Sequence, residues 1–272
     1  MAIITISRGT MSGGKKLAHM LCKKLNYKCI SREIIIKAAD DYGIEEYKLF
    51  EAISKSPTLL HKLTFEREKY LAYIQASICE YAKDDNLIYH GHAGHFLLKG
   101  IKHVLKLRII ADLSIRIKEA MERHNLSEKE AEEYINKVDN ERVKWTKFLY
   151  AEDWTSSILY DIVINATTLS IENSINAIVK LAKSPSFQTT PESQKAMNEL
   201  LISSRVRAAL AQIPQIQLGY LDIKSDNGKV TINGRTKSQK ILDSIFKVSG
   251  DVAGVNEIIM NVDIDYRSYK IE

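Results

Sequence analysis

The chain has 272 residues, 45% of them hydrophobic and 27% charged, with 39 Lys and Arg against 34 Asp and Glu for a net charge of +5. That length suits one or two domains with a proper core, and the apolar share excludes a largely disordered chain. The mild positive balance comes without clustered basic residues interleaved with aromatics, so there is no nucleic-acid footprint. No run of about 20 apolar residues is present to span a bilayer. Cys22, Cys29 and Cys79 are odd in number and lack C-x-x-C spacing, so they read as reduced thiols in a cytoplasmic protein. A strand starts at once, which leaves no room for a signal peptide and agrees with a cytoplasmic location.

Ala2–Ser7 (AIITIS) predicts a strand, and Leu17–Leu25 predicts a helix with Leu17, Met20, Leu21 and Leu25 on one face. Tyr27–Ile30 predicts a second strand and Ile34–Asp40 a helix. Ile44–Phe65, which contains Pro57, reads as a small helical insertion. Glu66–Lys83 predicts an amphipathic helix with Leu71, Ile74, Ile78 and Tyr81 on one face. Asn86–His90 predicts a third strand, broken at Gly91-His92-Ala93-Gly94, and a short helix carries Phe96, Leu97 and Leu98. His103–Ile110 is a fourth strand and Leu113–His124 a helix. Ser127 and Glu130 form a capping box for a helix running from Glu128 to about Trp145. Tyr160–Asn165 is a fifth strand and Ser170–Ala182 a closing helix. Strands alternating with helices predict an α/β domain with a parallel sheet covered on both faces. Its ligand would sit at the carboxyl ends of the strands.

Lys183–Ser193 is polar and holds two prolines, so it reads as a linker. The expected boundaries are residues 1–183, a linker over 184–193, and a second domain over 194–272. That second part predicts a helix over Gln194–Gln212, strands at Leu218–Lys224 and Lys229–Gly234 around an Asp226-Asn227-Gly228 turn, a helix over Ser238–Ser249, and a last strand over Gly254–Val262. It carries eleven Lys and Arg against nine Asp and Glu.

The chemistry concentrates in the loop between the first strand and helix. Gly9, Gly14 and Lys15 fit the G-x-x-x-x-G-K spacing of a phosphate-binding loop. Glycines let successive backbone N–H groups turn onto a phosphate, the helix N-terminus adds partial positive charge, and a lysine at the end of the loop reaches the β- and γ-phosphates. The next position, usually a Ser or Thr that holds magnesium, is Lys16. The alternative is a Gly-rich turn that only joins strand to helix.

The segments ITISRGTMSGGKKLA, YKCISREII, IYHGHAGHFLL, DLSIRIKEAMERHNLSEKEAEEYINKVDNER and DW…YDIVINATTLSIE, in this order, resemble the cytidylate-kinase-like proteins, a branch of the P-loop nucleoside monophosphate kinases. The resemblance covers residues 3 to about 183. It implies a P-loop α/β fold with a helical lid, and ATP- and Mg2+-dependent phosphoryl transfer to a nucleoside monophosphate. By the same resemblance Gly9, Thr10, Ser12, Gly13, Gly14, Lys15 and Lys16 bind ATP, with Thr10 or Ser12 standing in as hydroxyl ligands. Lys15, Arg116, Arg123 and Arg142 act on the transferring phosphate, and Arg32, His92, Asp139 and Arg142 contact the acceptor. Arginine forks suit phosphate oxygens, and phosphoryl transfer needs cationic neutralisation above all. The other reading of Arg116 and Arg123 is a solvated helix face paired with Glu119 and Glu122. Ser31 stands where the family has an aspartate and His92 where it has an arginine, which leaves the acceptor open. H-x-H-x-x-H over His90, His92 and His95 has zinc-like spacing, but acceptor contact or packing is preferred and no metal site is assigned.

The last ~75 residues, through NGKVTINGRTKS and VAGVNEIIMNVDI, resemble a BON domain, a small α+β (α-β-β-α-β) module associated with phospholipid or surface binding. Its near-neutral balance makes peripheral lipid contact the weaker expectation and protein contact or self-association the stronger. A rival to the kinase reading is a nucleotide-binding sensor with little turnover that reports through this module.

Overall fold

The computed structural model describes residues 2–54, 62–91 and 93–265. In chain order the elements begin with β1 (Ile3–Arg8), α1 (Gly14–Leu25), β2 (Lys28–Ile30), α2 (Glu33–Tyr42), α3 (Glu46–Ser54), α4 (Lys62–Ala82), β3 (Leu87–Tyr89) and α5 (Gly94–Leu97). They continue with β4 (Val104–Ile110), α6 (Leu113–His124), α7 (Glu128–Tyr150), β5 (Ile162–Asn165) and α8 (Ile171–Ala182). The C-terminal set is α9 (Pro191–Ala211), β6 (Leu221–Asp226), β7 (Lys229–Thr236), α10 (Gln239–Gly250) and β8 (Glu257–Ile264).

Contacts group the chain into two compact units. The first comprises Met1–Glu33, Ile53–Pro57 and Asp84–Ser193, the second Ile34–Ala52, Thr58–Lys83 and Gln194–Glu272. The grouping changes at Gln194, where the second domain is expected to begin, and it places residues 184–193 with the first unit. The helical segment after β2 goes with the C-terminal elements. The expected linker is fastened within the first unit, where Thr189 Oγ1 donates to Asp85 at 2.5 Å and the Gln188 side-chain amide donates to the Ala182 carbonyl at 2.9 Å.

In the first unit five parallel strands stand in the order β2-β3-β1-β4-β5. Alternation along β1 sends Ala2, Ile4 and Ile6 into one core with Leu17 and Leu21 of α1 and Ile175 and Ile178 of α8. The other face of the sheet, including Ile3, Thr5 and Tyr89, is buried as well. Strands hidden on both faces explain why β1 and β4 read as nearly continuous apolar runs. The Ser127–Glu130 capping box is present: Glu130 accepts from the Ser127 backbone at 2.8 Å and the Glu130 N–H donates to Ser127 Oγ at 3.4 Å. It starts α7, which runs to Tyr150 rather than stopping near Trp145.

In the second unit α4 is not the two-sided helix that its spacing predicts. Ala72, Tyr73, Ile74, Ala76, Ser77, Ile78 and Cys79 are all buried. Small side chains let neighbours close in on more than one side. One neighbour is α9, where Arg205 pairs with Glu80 and the Ser204 hydroxyl lies 3.7 Å from Cys79 Sγ. The α-β-β-α-β order recurs in α9, β6, β7, α10 and β8, with β6 antiparallel and β8 parallel to β7. A 3-10 turn over Leu218–Tyr220 delays β6 to Leu221, past the predicted start. Asn227 and Gly228 take φ of 53° and 73°, the doubly left-handed turn that an Asn-Gly pair supplies most readily.

Candidate functional site

Residues 9–14 leave the carboxyl end of β1, the central strand, and enter α1 at Gly13, whose φ is 85°. A side chain at Gly13 would meet Ile171 Cδ1 at 2.7 Å, and one at Gly14 would meet Arg8 Cδ at 2.6 Å, so both positions need glycine for space. Met11 holds a left-handed φ of 62° in the middle of the loop, a strained backbone of the kind that persists where surrounding structure imposes it. No side chain caps α1 and its first turn has no acidic residue. Its leading N–H groups therefore have no carboxylate or hydroxyl acceptor from the cap position, which suits an anion. Lys15 is exposed. Lys16 turns to α8 and pairs with Glu172 at 2.7 Å.

Helices α6 and α7 bring cations to this loop. Arg116 of α6 donates from Nε to the Thr10 carbonyl at 2.7 Å and pairs with Asp139 of α7. Arg142, one turn beyond Asp139, donates to the Arg8 carbonyl at 2.8 Å and lies 3.4 Å from Asp139 Oδ1. The same carboxylate accepts from the Thr10 N–H at 3.0 Å and from its hydroxyl at 2.7 Å. Burial, only partly countered by Asp139, pushes the Arg142 guanidinium down to about 10, and the positive charges of Arg8 and Arg116 act in the same direction. Burial likewise lowers Arg8. Among the described residues, Asp139 is the one carboxylate hydrogen-bonded to Arg116 and Arg142.

Sequence reasoning missed Arg8. Its guanidinium crosses to the end of β3, where it donates to Nδ1 of His90 at 3.0 Å and to the His90 carbonyl. The available signal was a basic residue at the carboxyl end of an apolar strand, directly before the loop. Arg108, inside β4, was missed for the same reason; its guanidinium lies 4.9 Å from the Trp154 ring centroid. A cavity of about 40 Å³ opens among Ser7, Arg8, His95, Arg142, Trp145 and Trp154. Its volume is that of a water or two. The Gly91 and Gly94 positions are explained by Tyr89, whose ring occupies the space a Cβ would take at either.

Other expected residues separate from this cluster. Arg123 is exposed and pairs with Glu119 at 2.6 Å, the helix-face alternative, although its charge still reaches Arg8 and helps lower it. Arg32 is exposed after β2. His92 lies outside the described residues. The two described members of the histidine set, His90 and His95, take different partners. His95 turns to Ser7, with Nδ1 3.1 Å from its hydroxyl, while His90 groups with His19 and Cys29. Burial, aided by Lys106 and Arg108, pushes His95 down to about 3, so it is neutral at physiological pH. The hydroxyls expected to stand in for a magnesium ligand already have protein acceptors: Ser12 donates to the Gly9 carbonyl at 2.8 Å, and Thr10 donates to Asp139.

A family model described as the cytidylate kinase-like family matches residues 3–168. A protein named cytidylate kinase from Ignicoccus hospitalis is 26% identical over 184 residues, covering 66% of this chain and 99% of its own. Another of that name from Sulfolobus acidocaldarius is 27% identical over 179 residues, covering 65% of this chain and 91% of its own. Among solved structures, an uncharacterized protein from Eubacterium ventriosum shares the fold at a TM-score of 0.53 and 20% identity, covering 68% of this chain and 99% of its own. These matches agree with the α/β P-loop kinase-like architecture of the first unit.

Proposed function

The chain belongs to the cytidylate kinase-like family, and from that premise we propose that it transfers the γ-phosphoryl group of ATP to a nucleoside monophosphate. The observation that carries this reading is the pairing of Arg116 and Arg142 with one carboxylate, with the charge of Arg8 felt at Arg142, beside an uncapped helix N-terminus. Three guanidiniums against one acid leave cationic charge to neutralise, and phosphate oxygens are the matching anion. In this reading residues 9–14 wrap the ATP phosphates with backbone N–H groups and Lys15 reaches the β- and γ-oxygens. Arg116 and Arg142 leave Asp139 for the transferring group, while Arg8, Arg32 and His92 face the acceptor. Arg123 joins only if it gives up Glu119.

The oxygen donors near the loop are the Thr10 and Ser12 hydroxyls and Asp139, all engaged by protein partners. That set fits a magnesium ion held mainly by substrate phosphates and water. When bound, magnesium neutralises charge on the β- and γ-oxygens. Both curated relatives are named cytidylate kinases, so a CMP-like acceptor is the first to test. Ser31 and His92 keep the acceptor's identity a matter for measurement.

A panel of nucleoside monophosphates with ATP and magnesium, read by ADP release, tests the proposal. Release stimulated by one acceptor, a pyrimidine monophosphate first among them, is the expected result. Tight ATP binding with no release for any acceptor would instead favour a nucleotide sensor. The Lys16–Glu172 pair and the occupation of the loop by Asp139 are the observations that favour this second reading. For the C-terminal elements we propose a BON-like module used for protein contact or self-association, located with the rest of the chain in the cytoplasm. Support comes from the α-β-β-α-β order and from ion pairs that cancel most surface charge, such as Lys195–Asp226 and Lys229–Glu257.

A further inference from the structure

Away from the phosphate loop, His19 of α1, Cys29 of β2 and His90 after β3 each bring one ligand atom within 4.8 Å of the others. We propose that these three side chains form a binding site for a soft divalent cation of the zinc class. The residues come from three different elements, so no local helix or turn geometry accounts for their meeting. The phosphoryl-transfer reading gives His19 and Cys29 nothing to do.

The donor set selects the ion. Two imidazoles and a thiolate suit zinc and its neighbours and exclude magnesium and calcium, which take oxygen. Zinc–sulfur bonds of about 2.3 Å and zinc–nitrogen bonds of about 2.0–2.1 Å place tetrahedral ligand atoms roughly 3.3–3.8 Å apart. The cluster therefore has to contract by about 1 Å on binding. His19 is exposed and free to make that move, while Cys29 is half-buried and His90 buried. The two rings already stand 5.6 Å apart at 83°. Three protein ligands with one at the surface leave a fourth position for water and a path of entry.

The surroundings fit the charge in part. The Glu33 carboxylate lies within electrostatic reach of both imidazoles and offsets a bound cation. Arg8 opposes it from the other side and sets the nitrogen used. It occupies Nδ1 of His90, which leaves Nε2 for the ion. Metal on Nε2 fixes the ring proton on Nδ1, so Arg8 loses that acceptor and retains the His90 carbonyl. Occupancy of this site thereby loosens an arginine that lines the 40 Å³ cavity.

The experiment uses the full chain, stripped with a chelator and titrated with cobalt(II). One equivalent should bind with a thiolate-to-cobalt charge-transfer band, and zinc should abolish the band by displacement. Cys29→Ser should remove the band, and His19→Gln, an exposed change, should weaken cobalt binding by about tenfold or more. No band in the wild type, or a band that survives Cys29→Ser, overturns the proposal. Cys29 is hydrogen-bonded to Cys22, so Cys29→Ser can fail to fold. In that event the wild type alone decides. Zinc should shield Cys29 from an alkylating reagent, as read by peptide mapping, and equal alkylation with and without zinc overturns the proposal.

Discussion

The surroundings of the phosphate loop and the exposed strand surface of the second unit treat charge in opposite ways. In the first, Arg116 and Arg142 pair with Asp139 while the charge of Arg8 is felt at Arg142, and burial holds Arg8 and Arg142 below the usual guanidinium range. In the second, surface cations on the strands and α9 have acids of their own: Lys195 with Asp226 at 2.7 Å, Lys229 with Glu257 at 2.8 Å, and Lys224 with Asp222 at 3.1 Å. Exposed one-to-one pairs contribute about 0–1 kcal/mol each and ask nothing of a ligand. Crowded, desolvated cations are costly unless an anion joins them. A charge imbalance that the fold sustains is thus a better pointer to a site than a charge count, which is mild for the chain as a whole.

The sharpest test of that contrast is Lys15→Ala. Lys15 is exposed, so the variant should fold normally, while turnover falls by about 100-fold or more on loss of one preorganised charge in a phosphoryl-transfer site. Stopped-time ADP assays check it. Unchanged turnover and ATP affinity would take Lys15 out of the mechanism and move attention to Lys16.

Arg142→Ala should follow, with a tenfold to hundredfold loss in kcat and a smaller change in ATP affinity, because in the proposed reaction Arg142 acts mainly once both substrates are bound. The alternative outcome is lower stability with a normal rate on the folded fraction. Arg142 would then be a structural partner of Asp139, and the imbalance in the first unit would be architecture rather than a site.

Much of this arrangement was legible in the sequence where a local rule governed it. The strand–loop–helix at Ile3–Leu25, the Ser127–Glu130 box and the Asn227-Gly228 turn each depend on neighbours in the chain. The D-x-x-R spacing of Asp139 and Arg142 also translated directly into a shared helix face beside the loop. What escaped depends on partners far away in sequence. Arg8 finds its acceptor on His90, 82 positions on. The burial of α4 follows in part from α9, more than 100 residues downstream. The contact grouping of residues 34–52 and 58–83 with the C-terminal elements escaped for the same reason. A polar, Pro-containing stretch does not reveal that helices before β3 group with elements after it.

Histidines sharpen the comparison from the other side, as bases kept neutral next to the cation cluster. Burial first, then the charges of Arg8 and His19, pushes His90 down to about 4, and His95 lies at about 3. Both folded values sit below the unfolded value near 6.5, so the unfolded chain takes up protons first as pH falls. Stability from these groups is intact above about pH 6.5 and declines from there toward pH 4 and 3. Urea unfolding should show a loss on the order of 2 kcal/mol for each imidazole, roughly 4 kcal/mol together, by pH 5, before unperturbed carboxylates titrate. A flat profile between pH 6.5 and 5 would mean that both imidazoles reach water in the folded protein.

Asp139→Asn removes the one negative charge while keeping the shape. We expect a loss of about 1–2 kcal/mol, larger than for an exposed pair because the carboxylate serves two partly buried arginines. The loss should be made good by added phosphate or ATP, which thermal melts at increasing ligand concentration would reveal as a steeper rise than in the wild type. Equal ligand stabilisation in both proteins would show that Asp139 does not stand in for an anion.

The smallest effect belongs to the second unit and serves as its control. Lys229 and Glu257 are paired across β7 and β8 at 2.8 Å, with side chains 45% and 58% exposed. Water screens such a pair, and ordering two long side chains offsets most of the attraction. Lys229→Ala should therefore change stability by less than about 0.5 kcal/mol and leave ADP release untouched. Guanidinium unfolding alongside the kinase assay measures both. A loss above about 1 kcal/mol would mean that pairing in the second unit supports the fold more than exposure suggests. A change in ADP release would go further: charge in that unit would then be felt at the phosphate loop, and the separation of a charge-balanced module from a charge-crowded site would no longer hold.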